Sequence, residues 1–284
     1  MTTRHASVSV VIPTLNEADR LPACLASVLW ADDVIVADAG STDNTIEIAR
    51  RFGARVIESC GPTIGAQKNA GIDVARHPWI LSIDADERVT PELQAAITRA
   101  VEAPVAAAYR VHLRNRYLGA SFDRGGWARD YHVRLFPSVH RWTTHKVHER
   151  LDVDGPVATL AGRLEHESYR DLAHQLEKAV RYSVWGADDL RHRGKRVRAS
   201  QLLLNPLWRF VKTYVLEGMW REGWHGFVFC MVHAWCAFSK YALLWDAERK
   251  ANTVSYAHNG ASHKTADASA LIDLAEDGPF VQRA

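Results

Sequence analysis

The stretch Trp79-Ile80-Leu81-Ser82-Ile83-Asp84-Ala85-Asp86-Glu87 carries the decision about fold. Its short, nearly continuous apolar run reads as a strand buried on both faces, as parallel sheets require. The run ends on two carboxylates, and Pro91 then opens a helix at its first turn. The same pattern recurs upstream. Val8-Ser-Val-Val-Ile12 reads as a first strand ending at Pro13, and Asn16-Glu17-Ala18-Asp19 starts a helix with apolar positions Leu21, Leu25, Val28 and Leu29. Val34-Ile-Val-Ala37 is a second strand, Thr45–Phe52 a helix, Arg55-Val-Ile57 a third strand and Gln67–Ala75 a further helix. This alternation predicts an α/β protein with a doubly wound, mostly parallel sheet.

Open sheets of this kind bind ligands beyond the carboxyl ends of their strands. The polar clusters sit there: Pro13-Thr-Leu-Asn-Glu17, Asp38 to Asp43, and Asp84-Ala-Asp86. Three strand ends bearing carboxylates or amides are expected to converge on one cleft. No GxxxxGK[ST] phosphate loop and no GxGxxG fingerprint is present. A diphosphate would then be held through a divalent cation on the Asp84/Asp86 pair; helix capping is the simpler role for the same two residues. The other Asp-x-Asp, Asp152-Val-Asp154, stands by a Gly-Pro turn and reads as solvated loop.

The chain has 284 residues, 47% hydrophobic and 24% charged, which excludes disorder as its main character. Four cysteines without CxxC spacing argue against a zinc ribbon or a disulfide framework and for a reducing compartment. Met1–His5 is polar and the apolar run after it is short, so no signal peptide is expected. The net charge of +2 conceals a split. Residues 1–100 hold 9 bases and 13 acids (net −4), residues 101–245 hold 22 and 14 (net +8), and the remainder 4 and 6 (net −2). Five of the ten tryptophans, from Trp208 to Trp245, fall in the basic part.

Four motifs, Val10-Val-Ile-Pro-Thr-Leu-Asn-Glu17, Val36-Ala-Asp-Ala-Gly-Ser-Thr-Asp43, Gln67-Lys-Asn-Ala-Gly71 and Leu81-Ser-Ile-Asp-Ala-Asp-Glu87, resemble in order and spacing those of family 2 glycosyltransferases. The resemblance continues through Arg134-Leu-Phe136, Val147-His-Glu-Arg-Leu151 and Leu164-Glu-His166. There it is most similar to the lipopolysaccharide-core glucosyltransferase type, over about residues 6–248. It implies a GT-A fold, a nucleotide-sugar donor, a divalent metal (Mg or Mn) and inversion at the sugar carbon. By the same resemblance Pro13, Thr14, Asn16 and Glu17 would line the base and ribose pocket. Asp38 would accept hydrogen bonds from a uracil-like ring, and Lys68 would lie near the base or diphosphate. Asp84 would face ribose and metal, Asp86 would ligate the metal, and His166 would complete its shell. Inversion needs a carboxylate to take the proton of the acceptor hydroxyl, and Glu149 is the candidate.

Plainer roles stand beside these. Glu17 could cap a helix, Lys68 could be a solvated helix residue, and Glu149 could pair with the bases around it. Glu165 and Glu167 could compete with His166, and Arg134 could pin the diphosphate or pair with Asp130. Residues 101–168 are expected to form the acceptor side of a catalytic domain spanning 1–168, with 6–100 binding the donor. Gly125-Gly-Trp127 reads as a flexible loop, and Trp127 and Trp142 as sugar platforms or core.

A helical region is expected over 169–250 and a disordered tail over 251–284. The run Arg191-His-Arg-Gly-Lys-Arg-Val-Arg198 suits anionic lipid head groups, worth about 1 kcal/mol per base. No nucleic-acid module accompanies it. Gly226 to Trp245 is long enough to suggest a span, but His233, Ser239 and Lys240 interrupt it, which favours a buried or interfacial helix. The resulting expectation is a metal-dependent inverting enzyme, cytoplasmic and peripheral on the inner membrane. It would move a hexose from a UDP donor onto a membrane-anchored glycan such as lipopolysaccharide core, and could form homo-oligomers. Transfer to a polyprenyl phosphate and a non-catalytic glycan-binding scaffold are the alternatives.

Overall fold

The computed structural model describes residues 6–58, 61, 63–122, 124–143 and 150–260, with Ala6 and residues 252–260 described through the backbone alone. The chain divides into two compact units, residues 1–170 and 171–284.

In the first unit, β1 (Ala6–Thr14), β2 (Ala31–Asp38), β3 (Arg55–Glu58) and β4 (Trp79–Ser82) pair in parallel in the order β3-β2-β1-β4. β8 (Tyr131–Pro137) joins β4 antiparallel, and β6 (Ala108–Tyr117), β9 (Val157–Glu167) and β5 (Glu87–Val89) extend the sheet beyond it. β7 (Ala120–Ser121) forms a short hairpin on β6. The sheet is parallel where strand and helix alternate. It turns mixed where strands follow one another directly.

Period-two alternation sorts β1 onto two cores. Val8, Val10 and Ile12 face one core together with Leu93 and Ile97 of α4 (Pro91–Glu102), while Val11 faces the other with Ile72 of α3 (Ile64–Asp73). Gly71 is required there, because a Cβ would lie 2.4 Å from a Val11 methyl. On the opposite face Gly162 of β9, at φ +84°, admits the α4 backbone; its Cβ would meet Leu93 N at 2.3 Å. Thr90 caps α4 by accepting from Leu93 N, and Pro91 occupies the first turn as expected.

The helix expected from Asn16 forms only as α1 (Leu21–Ala26). Asn16 takes φ 55°, a left-handed conformation that asparagine tolerates, and residues 17–20 form a turn. The sequence between the first two strands therefore supplies a shaped loop in place of a helix start. α2 (Thr45–Arg51) follows β2. Gly126–Arg129 is a 3₁₀ turn, and Trp127 packs half-buried among Tyr117, Phe122 and Tyr169.

The second unit is helical: α5 (Leu172–His192), α6 (Ala199–Phe210) continued by a π-helical stretch (Val211–Leu216), a 3₁₀ turn (Met219–Glu222) and α7 (Gly223–Gly260). Asp171 caps α5 by accepting from His174 N at 2.8 Å. α7 overturns the expected start of a disordered tail at residue 251. Ala251 to Asn259 contains no glycine or proline, so the established helix propagates to Gly260. Residues 261–284, the rest of the expected tail, lie outside the described residues.

Candidate active site

The cleft is built at the carboxyl ends of β1, β2 and β4. Beyond β1 and β2, the two following loops lock together. Thr14 Oγ1 donates to Asp38 Oδ2 at 2.9 Å, Gly40 N and Ser41 N donate to Asp38 Oδ1, and Ser41 Oγ donates to Oδ2. Asp38 is fully buried; three of the four bonds shape its own loop and the fourth, from Thr14, ties that loop to the end of β1. Asn16 N donates to Ser41 Oγ at 2.8 Å while its Oδ1 accepts from Thr42 N at 2.9 Å. The left-handed turn at Asn16 is thereby held by the loop it faces. Pro13 is half-buried in register with Ala37. Gln67 of α3 donates to the carbonyls of Thr14 and Ala37, tying the helix across both strand ends.

Beyond β4 the cleft is charged. Lys68 Nζ lies 3.1 Å from Asp84 Oδ1, and Arg134 Nη2 donates to Asp84 Oδ2 at 2.9 Å and also to Glu87. Lys68 is 3% exposed, so it is not a solvated helix residue, and Arg134 does not pair with Asp130. Burial acts to raise the Asp84 carboxyl, but Lys68 and Arg134 outweigh it and hold Asp84 far below the usual range. Glu87 is fully buried, and burial pushes its carboxyl up against the pull of Arg134. Trp142 presents its ring 4.6 Å from Lys68 Nζ, and its backbone exchanges two hydrogen bonds with the Asn69 amide.

Asp86 faces a second group. His166 Nε2 stands 3.7 Å from Asp86 Oδ2, and Arg20 Nη1 donates to that oxygen at 3.2 Å. Burial acts against ionisation of Asp86, yet His166 with Arg20 keeps it below the ordinary range. For His166, burial disfavours the charge, and Asp86 reverses this so that its pKa is raised. Arg20 also grips both oxygens of Glu17, at 2.8 and 2.9 Å. Glu17 is therefore not a helix cap; it joins the two halves of the cleft through Arg20, and burial raises its carboxyl despite that partner.

The orientation of His166 is set from behind. Asn115 donates from Nδ2 to Asp130 Oδ2 at 3.0 Å, which leaves its Oδ1 to accept from His166 Nδ1 at 2.6 Å. A proton fixed on Nδ1 turns the Nε2 lone pair toward Asp86 in the neutral ring. Glu165 and Glu167 lie on the other face of β9, as alternation demands, and pair with Arg114 and Arg88.

One carboxylate oxygen and one imidazole nitrogen 3.7 Å apart fit a small divalent cation at bond lengths of about 2.1 Å. Among the described residues no group of three or more His, Cys, Asp or Glu side chains could hold an ion. A cation of the magnesium kind takes one or two protein ligands and completes its shell from substrate phosphates and water. Asp84, with an ion pair on each oxygen, is the less available ligand of the two aspartates.

Sequence reading named Asp84, Asp86, Lys68, Arg134, Glu17 and His166, and these converge. Glu149 lies outside the described residues; the positions flanking its segment pair as Thr143 N to Arg150 O at 2.8 Å, next to Trp142. Arg20, Glu87, Asn69, Asn115 and Arg170 were missed. Arg170 donates to Asp19 at 2.6 Å and to Glu17 at 3.3 Å. Of the missed residues, Asn69 and Glu87 lie inside the quoted motifs, and the other three do not.

The description "Glycosyl transferase family 2" matches residues 9–149. Uncharacterised glycosyltransferases of Rickettsia prowazekii and Rickettsia typhi are 30% and 31% identical over 268 residues, covering 89% of this chain and 91% of each relative. The lipopolysaccharide core biosynthesis glycosyltransferase LpsC of Rhizobium meliloti is 28% identical over 248 residues, covering 84% of this chain and 92% of LpsC. The match runs through the strand ends that carry the cleft and across the helical unit. With that identity and coverage, on an α/β sheet of GT-A type, the chain belongs to glycosyl transferase family 2 and is a glycosyltransferase.

Proposed function

We infer that the enzyme moves a hexose from a UDP-sugar, in a metal-dependent inverting reaction, onto a membrane-anchored glycan of the lipopolysaccharide-core kind. The observation that carries this reading is the Asp86–His166 pair opening beside the Lys68–Asp84–Arg134 group. The relative LpsC, a lipopolysaccharide core glycosyltransferase by name, supports the acceptor class.

In this reading the loops of Thr14, Asn16 and Asp38 form a rigid wall for the nucleoside, and Glu17 closes it toward the phosphates. Lys68 and Arg134 keep buried positive charge at the strand-four end, where two aspartates alone would repel a diphosphate. Asp86 and His166 would hold the cation, which when bound neutralises charge gathering on the departing nucleoside diphosphate. Asn115 keeps the His166 Nε2 lone pair aimed at it. In this reading the proton of the acceptor hydroxyl goes to Glu149.

Turnover of UDP-glucose with manganese tests the whole. Glu149→Gln is expected to bind donor normally and to lose about 10²-fold or more of turnover. Near-normal turnover in that variant would remove Glu149 from the mechanism. No transfer or hydrolysis of any UDP-sugar would overturn the donor assignment.

A further inference from the structure

The second unit carries a surface that an aqueous protein has no reason to keep. α6 has no buried residue. Leu203, Leu204, Leu207 and Trp208 recur at i, i+3 and i+4 spacing on one side of it, with Leu203 74% and Trp208 59% exposed. The same exposure continues through Val215 and Leu216 of the π-helical stretch and through Trp220 and Trp224, the last 79% exposed. Contiguous apolar surface of this kind marks an interaction site. Phe210 stacks on Tyr214, and Phe227 meets both edge-on and Trp224 likewise, so the segment is held as a platform and not left loose.

Its charge says what covers it. Arg191 and Arg193 are engaged by Asp188 and Asp189, and Lys212 lies 4.0 Å from Glu217, but Lys195, Arg196 and Arg198, at the start of α6, stand exposed, as do Arg209 and Arg221 along the platform. Arg221 lies over the Trp220 ring at 5.0 Å. Tryptophan and leucine in one face with lysine and arginine at its margin match the boundary between acyl chains and anionic head groups. A protein partner would need matching carboxylates, and this chain's own helical unit is basic around the patch.

Among the described residues one helix, within Met219–Ala251, is long and apolar enough to cross a membrane by length and composition. Its packing argues for lying along the surface instead. Phe229, Cys230 and Leu244 of α7 are buried within the unit, where α7 packs on α5 and α6. α5 in turn exposes Glu177, Asp189 and Arg191, which could not accompany α7 into hydrocarbon.

We propose that the α6 to Trp224 face is a monotopic membrane-docking surface, lying in the plane of an anionic bilayer with its leucines and tryptophans at acyl depth. This deepens the reading of a membrane-anchored acceptor and rests on it only for purpose, since lipid binding is read without any sugar transfer.

Flotation with phosphatidylglycerol–phosphatidylethanolamine vesicles, with phosphatidylcholine vesicles as control, tests it on the full chain. Binding is expected to the anionic vesicles, to weaken with salt and to be released at alkaline pH by carbonate. Leu204→Glu with Leu207→Glu, and separately Lys195→Glu with Arg196→Glu, should each lose about tenfold or more of affinity while helicity and melting temperature stay unchanged. Trp fluorescence of the unaltered protein should be quenched by shallow brominated lipids. Resistance to carbonate would contradict the in-plane pose. Undiminished flotation of both folded variants, or self-association without lipid that the leucine variant abolishes while vesicle binding persists, would overturn the surface. UDP binding by the first unit should be the same in all variants, so loss of the transfer reading and loss of this one are told apart.

Discussion

The two units of the chain handle charge in opposite ways. At the cleft of the first unit, charged side chains are buried and paired: Lys68 and Arg134 on Asp84, Arg20 on Glu17 and Asp86, His166 on Asp86. In the second unit the charges stand outside, and large apolar side chains share that exposure. Two histidines condense the contrast. Asp86 overrides burial and raises the pKa of His166, whereas His233, packed on Phe229 with ring centroids 4.1 Å apart, has its pKa pushed down to about 4 by burial and the nearby charge of Arg209. A buried charge is kept where a partner of opposite sign faces it, as Asp86 faces His166, and is disfavoured where only apolar packing and a like charge surround it.

The largest effect should come from breaking the paired core of the first unit. Glu87→Leu leaves the Arg134 guanidinium short of a buried partner. Removal of one member of a buried pair costs about 3–5 kcal/mol, so the melting temperature should fall by roughly 10 °C. A fall of a degree or two would mean that Asp84 alone satisfies Arg134.

Acid should then separate the units. The folded pKa of His233 lies below its ordinary 6.5, so its contribution is intact above pH 6.5 and is lost as pH falls toward about 4, by up to about 3 kcal/mol. The folded pKa of His166 is raised, so its contribution is fully present below 6.5 and is lost as pH rises through that higher value. Hydrogen exchange between pH 7 and 5 should show the helical unit loosening while the strands around His166 tighten. His233→Phe should remove the first change and leave the second. Equal loosening in both units would contradict the contrast.

A smaller, more local effect tests the support behind His166. Asn115→Leu should weaken manganese binding in the presence of UDP by about 10–100-fold, with Asn115→Gln restoring part of it, because the imidazole loses its fixed orientation. Titration calorimetry reads this without turnover. Least of all, Trp208→Ser on the exposed platform should change stability by no more than about 0.5 kcal/mol. A larger loss would show that this tryptophan packs in the unit and is not surface.

The parallel half of the sheet was legible because its strands are short apolar runs that end in polar clusters, and the cleft was legible because those ends converge. Asn16 was misread, since a left-handed turn stabilised by Ser41 and Thr42 has no local signature. Asn115 was invisible for a different reason. It sits 51 residues from His166, on a strand whose sheet neighbour β9 is distant in sequence, so only the pairing of β6 with β9 reveals it. Arg20 carries no motif signal in the sequence, and only the fold brings Glu17 and Asp86 to it. α7 outran its expected end because composition signals disorder less firmly than an existing helix resists stopping.

The central claim is that Asp86 and His166 together bind a cation that in turn holds the nucleotide. Calorimetric titration of UDP with and without manganese, on the unaltered chain and on Asp86→Ala, tests it most directly. Manganese should tighten UDP binding in the unaltered chain and make no difference in the variant, while the weak metal-free affinity stays the same in both. Manganese-enhanced binding that survives in Asp86→Ala, or UDP binding indifferent to metal in the unaltered chain, would contradict the account.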